Sequence, residues 1–411
     1  MAGRILLLTQ WFEPEPTSKG LVFAREMMNH GFEVEVVTGF PNYPGGKLYD
    51  GYKVKFIQRE LIDGVLITRV PLYPSHDGST IKRVLNYTSF AASALFYCLF
   101  RAKKPDVIYS YHPPLTVGVV AVLIRFFRNV SVIYDIQDMW PDTLRSTGVL
   151  TNERVLNLIA RVAKWVYKQA DQLVVLSPGF KELLIERGEP AEKIEVIPNW
   201  CDESMLVYSS EKKLSGFPSG DKFIVLFAGN IGRAQALASV IEAALMFENK
   251  SSNIFPEVVF VFLGGGLEVD LLKQQVAAKN LNNVIFLPSV PMAEVAGYLH
   301  RADALLVHLK KDPLFEVTIP SKTQAYMAIG KPIIMGVAGD AADIIKSADC
   351  GTVIESENPS QLVDAIANLL RLSKKEREAL GMNGRNYYFK YLSLKTGTKR
   401  FVDLFNKLSK Y

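Results

Sequence analysis

Short, almost continuous runs of apolar and β-branched residues alternate with longer helical stretches along most of this chain. Runs of this kind indicate strands buried on both faces, because a strand with one wet face alternates apolar and polar residues. Strands that alternate with helices form βαβ units, so the sequence predicts an α/β fold with parallel sheets covered by helices. The predicted strands are RILLLTQ (4–10), EVEVVTGF (33–40), VLITRV (65–70), DVIYSY (106–111), SVIYDIQD (131–138), QLVVLS (172–177), IEVIPN (194–199), FIVLFAG (223–229), VVFVFLG (258–264), VIFLPS (284–289), ADALLVHL (302–309) and PIIMGV (332–337).

This rhythm stops near the middle of the chain and then restarts. Residues 199–222, NWCDESMLVYSSEKKLSGFPSGDK, are polar, rich in Gly and Ser, and without periodicity. The 411 residues also exceed the roughly 250 to 300 residues at which one hydrophobic core stops growing. We therefore predict two doubly wound, Rossmann-like domains at 1–200 and 223–390, joined by a linker at 201–222. Residues 391–411 are predicted to form a C-terminal helix that can pack back on the N-terminal domain.

Composition excludes several classes of protein. Cys98, Cys201 and Cys350 are widely spaced and odd in number, which argues against a disulfide framework or a zinc site and fits a reducing compartment. The apolar run at the N-terminus is too short for a secretory signal, so we expect no export. A net charge of +5 is too small to imply nucleic-acid binding, but it suits an anionic membrane or an anionic ligand.

One helical segment, residues 79–105, allows two interpretations. Its apolar part, from Tyr87 to Phe100, is shorter than the roughly 20 residues that span a bilayer. The segment is either a core helix between strands or a helix lying in the surface of an anionic membrane. Aromatic residues in the middle and basic residues at both ends favour the membrane: Tyr87, Phe90, Phe96 and Tyr97; Lys82, Arg83, Arg101, Lys103 and Lys104. For the similar run at 117–127 we favour the core.

Glycine-containing turns follow several predicted strands, where backbone N–H groups commonly cradle phosphates. In the first half the turn is EPEPTSKG, which ends at Gly20. In the second half the turns are FAGNIGRAQ (227–235), FLGGGLE (262–268) and PSK (320–322), and two of them carry a cation, Arg233 or Lys322. Together these turns indicate a diphosphate site.

Lys322 stands at an unfavourable place for a cation. Ser321 and Gln324 have capping-box spacing, which predicts that a helix begins at Ser321. The first turn of a helix carries about half a positive charge, so a lysine there costs a few tenths of a kcal/mol unless an anion is bound. We therefore predict that Lys322 contacts an anion.

Seven motifs in series resemble the landmarks of family-4 retaining glycosyltransferases, over nearly the whole chain. The resemblance is closest to bacterial O-antigen and capsule N-acetyl-L-fucosamine transferases, in which TGFPNYPGGK (38–47) and the PSK turn are typical. It implies a GT-B fold, with two Rossmann-like domains facing across a cleft: an N-terminal domain on the acceptor side (1–200) and a C-terminal domain that binds the nucleotide sugar (223–390). It also implies metal-independent transfer from a UDP-sugar. The motifs are YDIQDMWPD (134–142), LSPGFKELL (176–184), IPNWCD (197–202), FAGNIGRAQAL (227–237), FLGGGLEVDLL (262–272), VIFLPSVPMAEVAGYLHRAD (284–303) and PSKTQAYMAIGKPII (320–334).

The resemblance implies roles for individual residues. Asp138 matches a family position facing the donor sugar, with Gln137 where many relatives have histidine, and Asp135 is an alternative to Asp138. Arg233 and Lys322 would stabilise the leaving diphosphate, which makes the catalytic set Asp138, Lys322 and Arg233. The base would meet backbone groups of the turn at 287–290. The implied donor-binding residues are Lys19, Gly20, Gly229, Asn230, Gly232, Gln235, Gly265, Leu287, Pro288, Ser289, Glu316, Pro320, Ser321 and Gln324.

Two positions depart from the family pattern. The usual second cation, a lysine shortly after the arginine, is absent, and Gln235 lies in that region. In the family, two acidic residues form a pair whose second member binds the ribose of the donor. That pair is incomplete here, because Glu316 is present but Ala325 occupies the second position. Gln324 is the expected substitute.

These inferences converge on one expected activity. We expect a retaining glycosyltransferase that moves a sugar, N-acetyl-L-fucosamine by resemblance, from a UDP-sugar to an undecaprenyl-diphosphate-linked saccharide in O-antigen or capsule synthesis. We expect no cofactor, no metal and no nucleic-acid partner, and a cytoplasmic protein held peripherally on the inner face of the bacterial plasma membrane through residues 79–105. One alternative is a nucleotide-sugar epimerase on the same fold. An epimerase needs acid and base residues on both sides of the sugar ring, and a chain with only five histidines is a poor candidate for this. Another is a two-domain solute-binding protein, a class that is normally exported.

Overall fold

A computed structural model divides the chain into two compact units. Unit 1 comprises Met1–Pro198 and Gly397–Tyr411, and unit 2 comprises Asn199–Thr396. Ser79 of the predicted membrane segment and residues 207–213 of the predicted linker lie outside the described residues. The structure describes residues 3–75, 80–148, 150–206, 214–249 and 257–409.

The strands confirm the alternating pattern of the sequence. Every predicted strand is present, and the structure adds the short strands β3 and β14. In chain order the strands are β1 (Arg4–Leu8), β2 (Glu33–Gly39), β3 (Gln58–Ile62), β4 (Val65–Val70), β5 (Val107–Tyr111), β6 (Ser131–Ile136), β7 (Gln172–Val175), β8 (Ile194–Val196), β9 (Phe223–Ala228), β10 (Val258–Leu263), β11 (Val284–Leu287), β12 (Ala304–His308), β13 (Ile333–Gly336) and β14 (Gly351–Val353).

Helices separate most of these strands. A π-helical turn, Tyr388–Leu392, precedes the last helix. In chain order the helices are α1 (Leu21–Asn29), α2 (Thr80–Phe100), α3 (Leu115–Arg128), α4 (Asp142–Ser146), α5 (Glu153–Gln169), α6 (Pro178–Glu186), α7 (Ala238–Asn249), α8 (Val269–Ala278), α9 (Met292–Arg301), α10 (Pro313–Glu316), α11 (Ser321–Ile329), α12 (Asp340–Ala348), α13 (Pro359–Arg371), α14 (Lys374–Tyr387) and α15 (Leu394–Leu408).

In unit 1 the described residues form an eight-stranded sheet in the order β3-β4-β2-β1-β5-β6-β7-β8. All neighbours are parallel except β3 and β4. The central strand β1 is buried almost throughout, and Leu7 pairs with Val36 of β2 and with Tyr109 of β5. The edge strand β3 has the sequence QRELI, which is not an apolar run, so the sequence pattern did not predict it.

In unit 2 the described residues form a six-stranded parallel sheet in the order β11-β10-β9-β12-β13-β14. Strands β9, β10 and β12 are fully buried, and their side chains pack into two apolar clusters. Both units are therefore doubly wound α/β structures, which confirms the predicted fold class.

The last helix, α15, packs on unit 1. The Phe401 ring lies 5.1 Å from the ring of Phe23 on α1 and 5.4 Å from that of Tyr109 on β5, centroid to centroid. Arg400 also donates a hydrogen bond to Glu195 at 2.6 Å. The C-terminal residues thus complete the core of the unit in which the chain begins.

Candidate functional site

The donor-binding residues predicted in the second half of the chain lie at one edge of the unit 2 sheet. Because all the strands of this sheet run parallel, their carboxyl ends share one edge, which is where open α/β sheets bind ligands. These residues follow or end the strands β9 (Gly229, Asn230, Gly232, Arg233, Gln235), β10 (Gly265), β11 (Leu287, Pro288, Ser289) and β12 (Glu316, Pro320, Ser321, Lys322, Gln324).

Two glycine turns pack directly against each other at this edge. Gly229 donates to the Leu263 carbonyl at 2.9 Å, and Ile231 donates to the Gly265 carbonyl at 2.8 Å. Gly264 has φ +147°, and a Cβ added there would lie 2.0 Å from the Gly229 carbonyl oxygen. Only glycine fits such a contact, so the two turns hold each other in place at the edge of the sheet.

Lys322 lies over these turns. Its Nζ is 3.4 Å from the centroid of the Phe227 ring, and a Cβ added at Gly229 would be 3.5 Å from the same nitrogen. Burial lowers the pKa of Lys322 to about 7. The largely buried ammonium therefore faces an aromatic ring and a glycine backbone, and a bound anion would stabilise its charged form.

The start of α11 differs from the predicted capping box. The N-cap is Pro320, Ser321 is the exposed first residue of the helix, and no side chain caps the helix. Gln324 is buried, with its amide nitrogen placed to donate to the carbonyls of Pro320 (3.0 Å) and Ser321 (3.1 Å). The capping-box prediction is wrong, because proline takes the cap position, and the buried Gln324 amide does not suit contact with a ribose.

A tyrosine on α11 fixes the position of Lys322 relative to the turns. The Tyr326 hydroxyl accepts a hydrogen bond from the Ala228 backbone N–H at 2.8 Å and donates to the Ala228 carbonyl at 3.2 Å. This contact joins α11 to the end of β9, so the backbone that carries Lys322 is held beside the strand that carries Phe227.

Arg233 and Gln235 belong to a short 3₁₀ turn after β9. Arg233 is exposed, and its side chain makes no hydrogen bond or ion pair within the described ranges. The Gln235 side chain accepts from the Gly232 N–H at 3.0 Å, so it closes the turn instead of replacing the missing lysine. Arg233 is thus the cation of this turn that is free to meet a ligand.

His308, which sequence reasoning missed, holds this turn from below. Its Nδ1 donates to the Gln235 carbonyl at 2.7 Å, and its Nε2 accepts from the Glu357 N–H at 3.1 Å. Burial lowers its pKa, which keeps the ring neutral as these two bonds require. His308 belongs to no recognisable sequence motif. Only its position at the end of a predicted strand could have indicated a role in the site.

Of the residues predicted to meet the base and the ribose, those after β11 lie beside the glycine turns. Gly264 donates to the carbonyl of the buried Leu287 at 3.0 Å, and the Ser289 hydroxyl would lie 3.2 Å from a Cβ at Gly265. The turn after β11 therefore adjoins the glycine turns. Glu316 ends α10 and is exposed.

In unit 1 the predicted phosphate contact of Lys19 does not fit the structure. Lys19 and Asp135 form a fully buried ion pair at 2.6 Å, with 0% exposure of both side chains. Gly20 is close-packed, because a Cβ there would lie 2.2 Å from the Glu13 carboxylate, which accepts from the Leu21 N–H at 2.7 Å. A carboxylate of the protein thus occupies the start of α1, where the sequence indicated a ligand phosphate.

Asp138 and Asp135 differ sharply in environment. Asp135 is buried and accepts hydrogen bonds from Lys19, Tyr109 and Gln137, so it is not available to a substrate. The Asp138 carboxylate makes no hydrogen bond or ion pair with any residue that the structure describes, and burial raises its pKa to about 6. Of the two candidates, Asp138 is the one whose carboxylate has no partner among the described residues.

His112 follows β5 and was also missed. It is 1% exposed, its Nδ1 has no partner, and burial lowers its pKa to about 3. Its ring lies edge-on to that of Trp140, with centroids 5.4 Å apart. Only its position directly after a central strand could have indicated from the sequence that His112 lies near a site.

Two kinds of feature are absent from the residues that the structure describes. No helix there is both long and apolar enough to cross a bilayer. Nor do three or more His, Cys, Asp or Glu side chains from those ranges gather in a group able to hold a metal ion.

Comparisons with known proteins identify the two halves of the chain as glycosyltransferase domains. Residues 21–200 match the model of the family "Glycosyl transferase 4-like domain", and residues 210–387 match that of "Glycosyl transferases group 1". The chain is 24% identical to the putative colanic acid biosynthesis glycosyl transferase WcaI of Escherichia coli, covering 97% of this chain and 99% of that protein. It is 26% identical to the probable glycosyltransferase WbjE of Pseudomonas aeruginosa, covering 72% and 74%.

Solved structures show the same fold. Anabaena HepE in complex with UDP-glucose superposes with a TM-score of 0.69 at 15% identity, covering 98% of this chain and 100% of that one. The predicted GT-B fold is confirmed. The matched models describe transferases, so neither the epimerase nor the solute-binding alternative gains support.

Proposed function

We propose that this chain, a glycosyltransferase with a glycosyl transferase 4-like domain followed by a glycosyl transferases group 1 domain, uses a UDP-sugar and retains the anomeric configuration. The observation that carries the proposal is the Lys322 ammonium, held over Phe227 beside the glycine turns. HepE, a structural neighbour, is described as a complex with UDP-glucose.

The diphosphate of the donor binds at the edge of unit 2. Its oxygens meet the backbone N–H groups of the turns after β9 and β10, the ammonium of Lys322 and the guanidinium of Arg233. When the sugar–phosphate bond breaks, negative charge grows on the departing diphosphate. Fixed cations and N–H groups stabilise that charge more than they stabilise the intact donor, which lowers the barrier.

These cations also do the work that a metal ion does in other transferases. We therefore propose a metal-independent reaction without a cofactor, in which Lys322 supplies most of the charge because Gln235 stands where relatives have a second lysine. Asp138 contacts the sugar or the acceptor hydroxyl and eases positive charge at the anomeric carbon. Full activity after treatment with EDTA is the expected result.

The acceptor we propose is a saccharide on undecaprenyl diphosphate, in O-antigen or capsule synthesis. The sugar we propose is N-acetyl-L-fucosamine. Both rest on the resemblance of the sequence motifs, and the acceptor also on the relative WcaI, which is described as a colanic acid biosynthesis glycosyl transferase.

A lipid acceptor requires the protein to reach a membrane, and α2 has a suitable surface. Its inner face packs on unit 1 through Phe90 and Tyr97, whereas its outer face exposes Ile81 (75%), Phe96 (43%) and Phe100 (70%). Phe56 lies beside Phe96, with ring centroids 6.0 Å apart, and widens this apolar surface. Basic residues stand at both ends of the helix, which matches the charge of anionic lipid headgroups.

We propose that this face of α2 lies on the inner surface of the bacterial plasma membrane and that the protein is peripheral and cytoplasmic. The test of the whole function is an incubation with a panel of UDP-sugars and a synthetic lipid-diphosphate N-acetylglucosamine. Product that forms only with the acceptor, most rapidly from UDP-N-acetyl-L-fucosamine, is the expected result. Isomerised donor without acceptor would contradict transfer, and product from another UDP-sugar would correct the donor alone.

A further inference from the structure

Two aromatic side chains form a stacked pair at the edge of the unit 1 sheet where the parallel strands have their carboxyl ends. Trp11 follows β1 and Tyr43 follows β2, and their ring centroids are 4.3 Å apart with 20° between the planes. Both side chains are partly exposed. A fixed aromatic surface of this kind suits the apolar face of a pyranose ring, whose C–H groups pack on a π system.

This pair lies at the switch point of the unit 1 sheet. The order β2-β1-β5 means that the chain builds outward from β1 in two directions. Ligands of open α/β sheets bind at the carboxyl ends of the strands, at such a point. Trp11 follows β1, His112 follows β5 and Asp138 follows β6, so all three side chains start from this edge.

A buried carboxylate holds the two rings together. Glu15 accepts hydrogen bonds from the backbone N–H groups of Asn42 and Tyr43, each at 2.7 Å, and from that of Phe12 at 3.2 Å. These bonds fasten the loop after β2 to the loop after β1. The aromatic surface is therefore formed before any ligand arrives, which reduces the entropy lost on binding.

Polar groups without protein partners follow the neighbouring strands β5 and β6 at this edge. Burial and then the negative charges of Asp138 and Glu15 raise the pKa of Tyr43, so both carboxylates lie within electrostatic range of its ring. The Asp138 carboxylate has no hydrogen bond within the described ranges, and the buried Nδ1 of His112 has none either. Buried polar groups are normally paired, so a ligand with hydroxyl groups is the partner that fits.

We propose that Trp11 and Tyr43 form a subsite for a sugar ring of the acceptor, with Asp138 accepting a hydrogen bond from one of its hydroxyl groups. This assignment rests on the proposed function. The cations and glycine turns that suit a diphosphate lie in unit 2, and those of unit 1 that were predicted for it are closed by Asp135 and Glu13. The sugar on this surface is therefore assigned to the acceptor and not to the donor.

The experiment compares variants that remove an aromatic ring with variants that keep one. Trp11→Ala and Tyr43→Leu should each raise the KM for lipid-diphosphate N-acetylglucosamine by about tenfold or more, the effect of truncating an anchoring aromatic residue. Trp11→Phe and Tyr43→Phe should stay within about threefold of the wild type, because each retains a ring. The dissociation constant of UDP should not change in any of them.

Trp165→Ala is the matched control, because Trp165 is an exposed tryptophan of the same unit on α5. It should leave the acceptor KM unchanged. Thermal unfolding of each variant shows whether the fold is intact. Saturation-transfer NMR on a short-chain lipid-diphosphate N-acetylglucosamine gives a second measure, with the sugar signals lost in Trp11→Ala and kept in Trp165→Ala.

Each other result contradicts the subsite. An unchanged acceptor KM and unchanged NMR signals in Trp11→Ala would show that the surface binds no acceptor. A raised KM for the UDP-sugar with an unchanged acceptor KM would move the contact to the donor. If the wild type transfers no sugar, the proposed function fails instead, and the NMR measurement still decides whether the surface binds the saccharide.

Discussion

The ammonium of Lys322 lies 3.4 Å from the centroid of the Phe227 ring. Phe227 belongs to β9 and Lys322 to the first turn of α11, so a strand and a helix meet at this contact. The ring face offers partial negative charge, and it compensates in part for a cation placed at the positive end of a helix. A bound diphosphate would compensate fully.

Replacing this lysine tests its role in catalysis. Lys322→Ala should lower kcat by at least about 10²-fold, as the loss of one oxyanion donor does, because the departing diphosphate loses its main cation. Steady-state kinetics with saturating donor and acceptor measure this. A near-normal kcat would refute the role, and Arg233→Ala, which removes the exposed cation, should have the smaller effect of the two.

The pH profile follows from the pKa of the same group. With a pKa of about 7, the free enzyme holds the charged form of Lys322 below pH 7 and loses it above. The kcat/KM for the donor should therefore fall as pH rises through 7, approaching about tenfold per pH unit for a single essential proton. Lys322→Arg should remove this fall, because a guanidinium stays charged. A profile that is flat from pH 6 to 9 in the wild type would contradict the assignment.

The glycine turns give a stability test with a built-in control. A Cβ at Gly266, where φ is +155°, would lie 2.2 Å from the Ile231 carbonyl oxygen. Gly266→Ala should lower the free energy of unfolding by about 1 to 3 kcal/mol, the cost of a strained backbone position, and should weaken UDP binding. Gly265→Ala, next to it but without positive φ, meets only the Ser289 hydroxyl at 3.2 Å and should cost less. Urea unfolding measures the stability of each variant, and titration with UDP measures its affinity. Equal losses in Gly266→Ala and Gly265→Ala would contradict a special requirement for glycine at position 266.

The buried pair of Lys19 and Asp135 should be a major element of unit 1 stability. Lys19→Met leaves the Asp135 charge buried without its cation and should cost about 3 to 5 kcal/mol in urea unfolding. The exposed pair of Arg25 and Asp63 (52% and 53%) is the control, and Arg25→Met should cost less than about 1 kcal/mol.

A double variant separates structure from ligand binding. Lys19→Met with Asp135→Asn should be more stable than Lys19→Met alone, since the uncompensated charge is gone. If Lys19 contacted a phosphate instead, Lys19→Met would weaken UDP binding with little loss of stability.

The membrane surface of α2 can be tested by charge reversal. Binding to vesicles that contain phosphatidylglycerol should be lost, because each basic residue near an anionic surface contributes about 1 kcal/mol. Co-sedimentation measures this, with circular dichroism as a check on folding. The variant replaces four residues with Glu: Lys82, Arg83, Lys103 and Lys104.

A second quadruple variant has the same change of charge at exposed lysines elsewhere. It should keep most of the vesicle binding. Equal loss in both variants would point to net charge and not to α2. The control positions are Lys346, Lys374, Lys375 and Lys399.

Local pattern was sufficient for the architecture of this protein. Buried parallel strands need apolar residues on both faces, so the runs around Leu7 or Phe260 identify themselves without knowledge of their neighbours. The glycine turns could also be located from the sequence, because glycines directly after a predicted strand indicate a tight turn. The position of Lys322 at a helix start was likewise local information.

What only the tertiary structure decided is which polar groups pair with each other. Lys19 looked like a phosphate ligand until Asp135, 116 positions away, closed on it, and Gly20 looked like a phosphate turn until Glu13 filled the space. Sequence alone determined the two sheets and the edge at which the donor residues gather. It could not determine whether a charge at that edge faces a ligand or another residue, because the energy of a charge depends on its burial and on partners that only folding brings near.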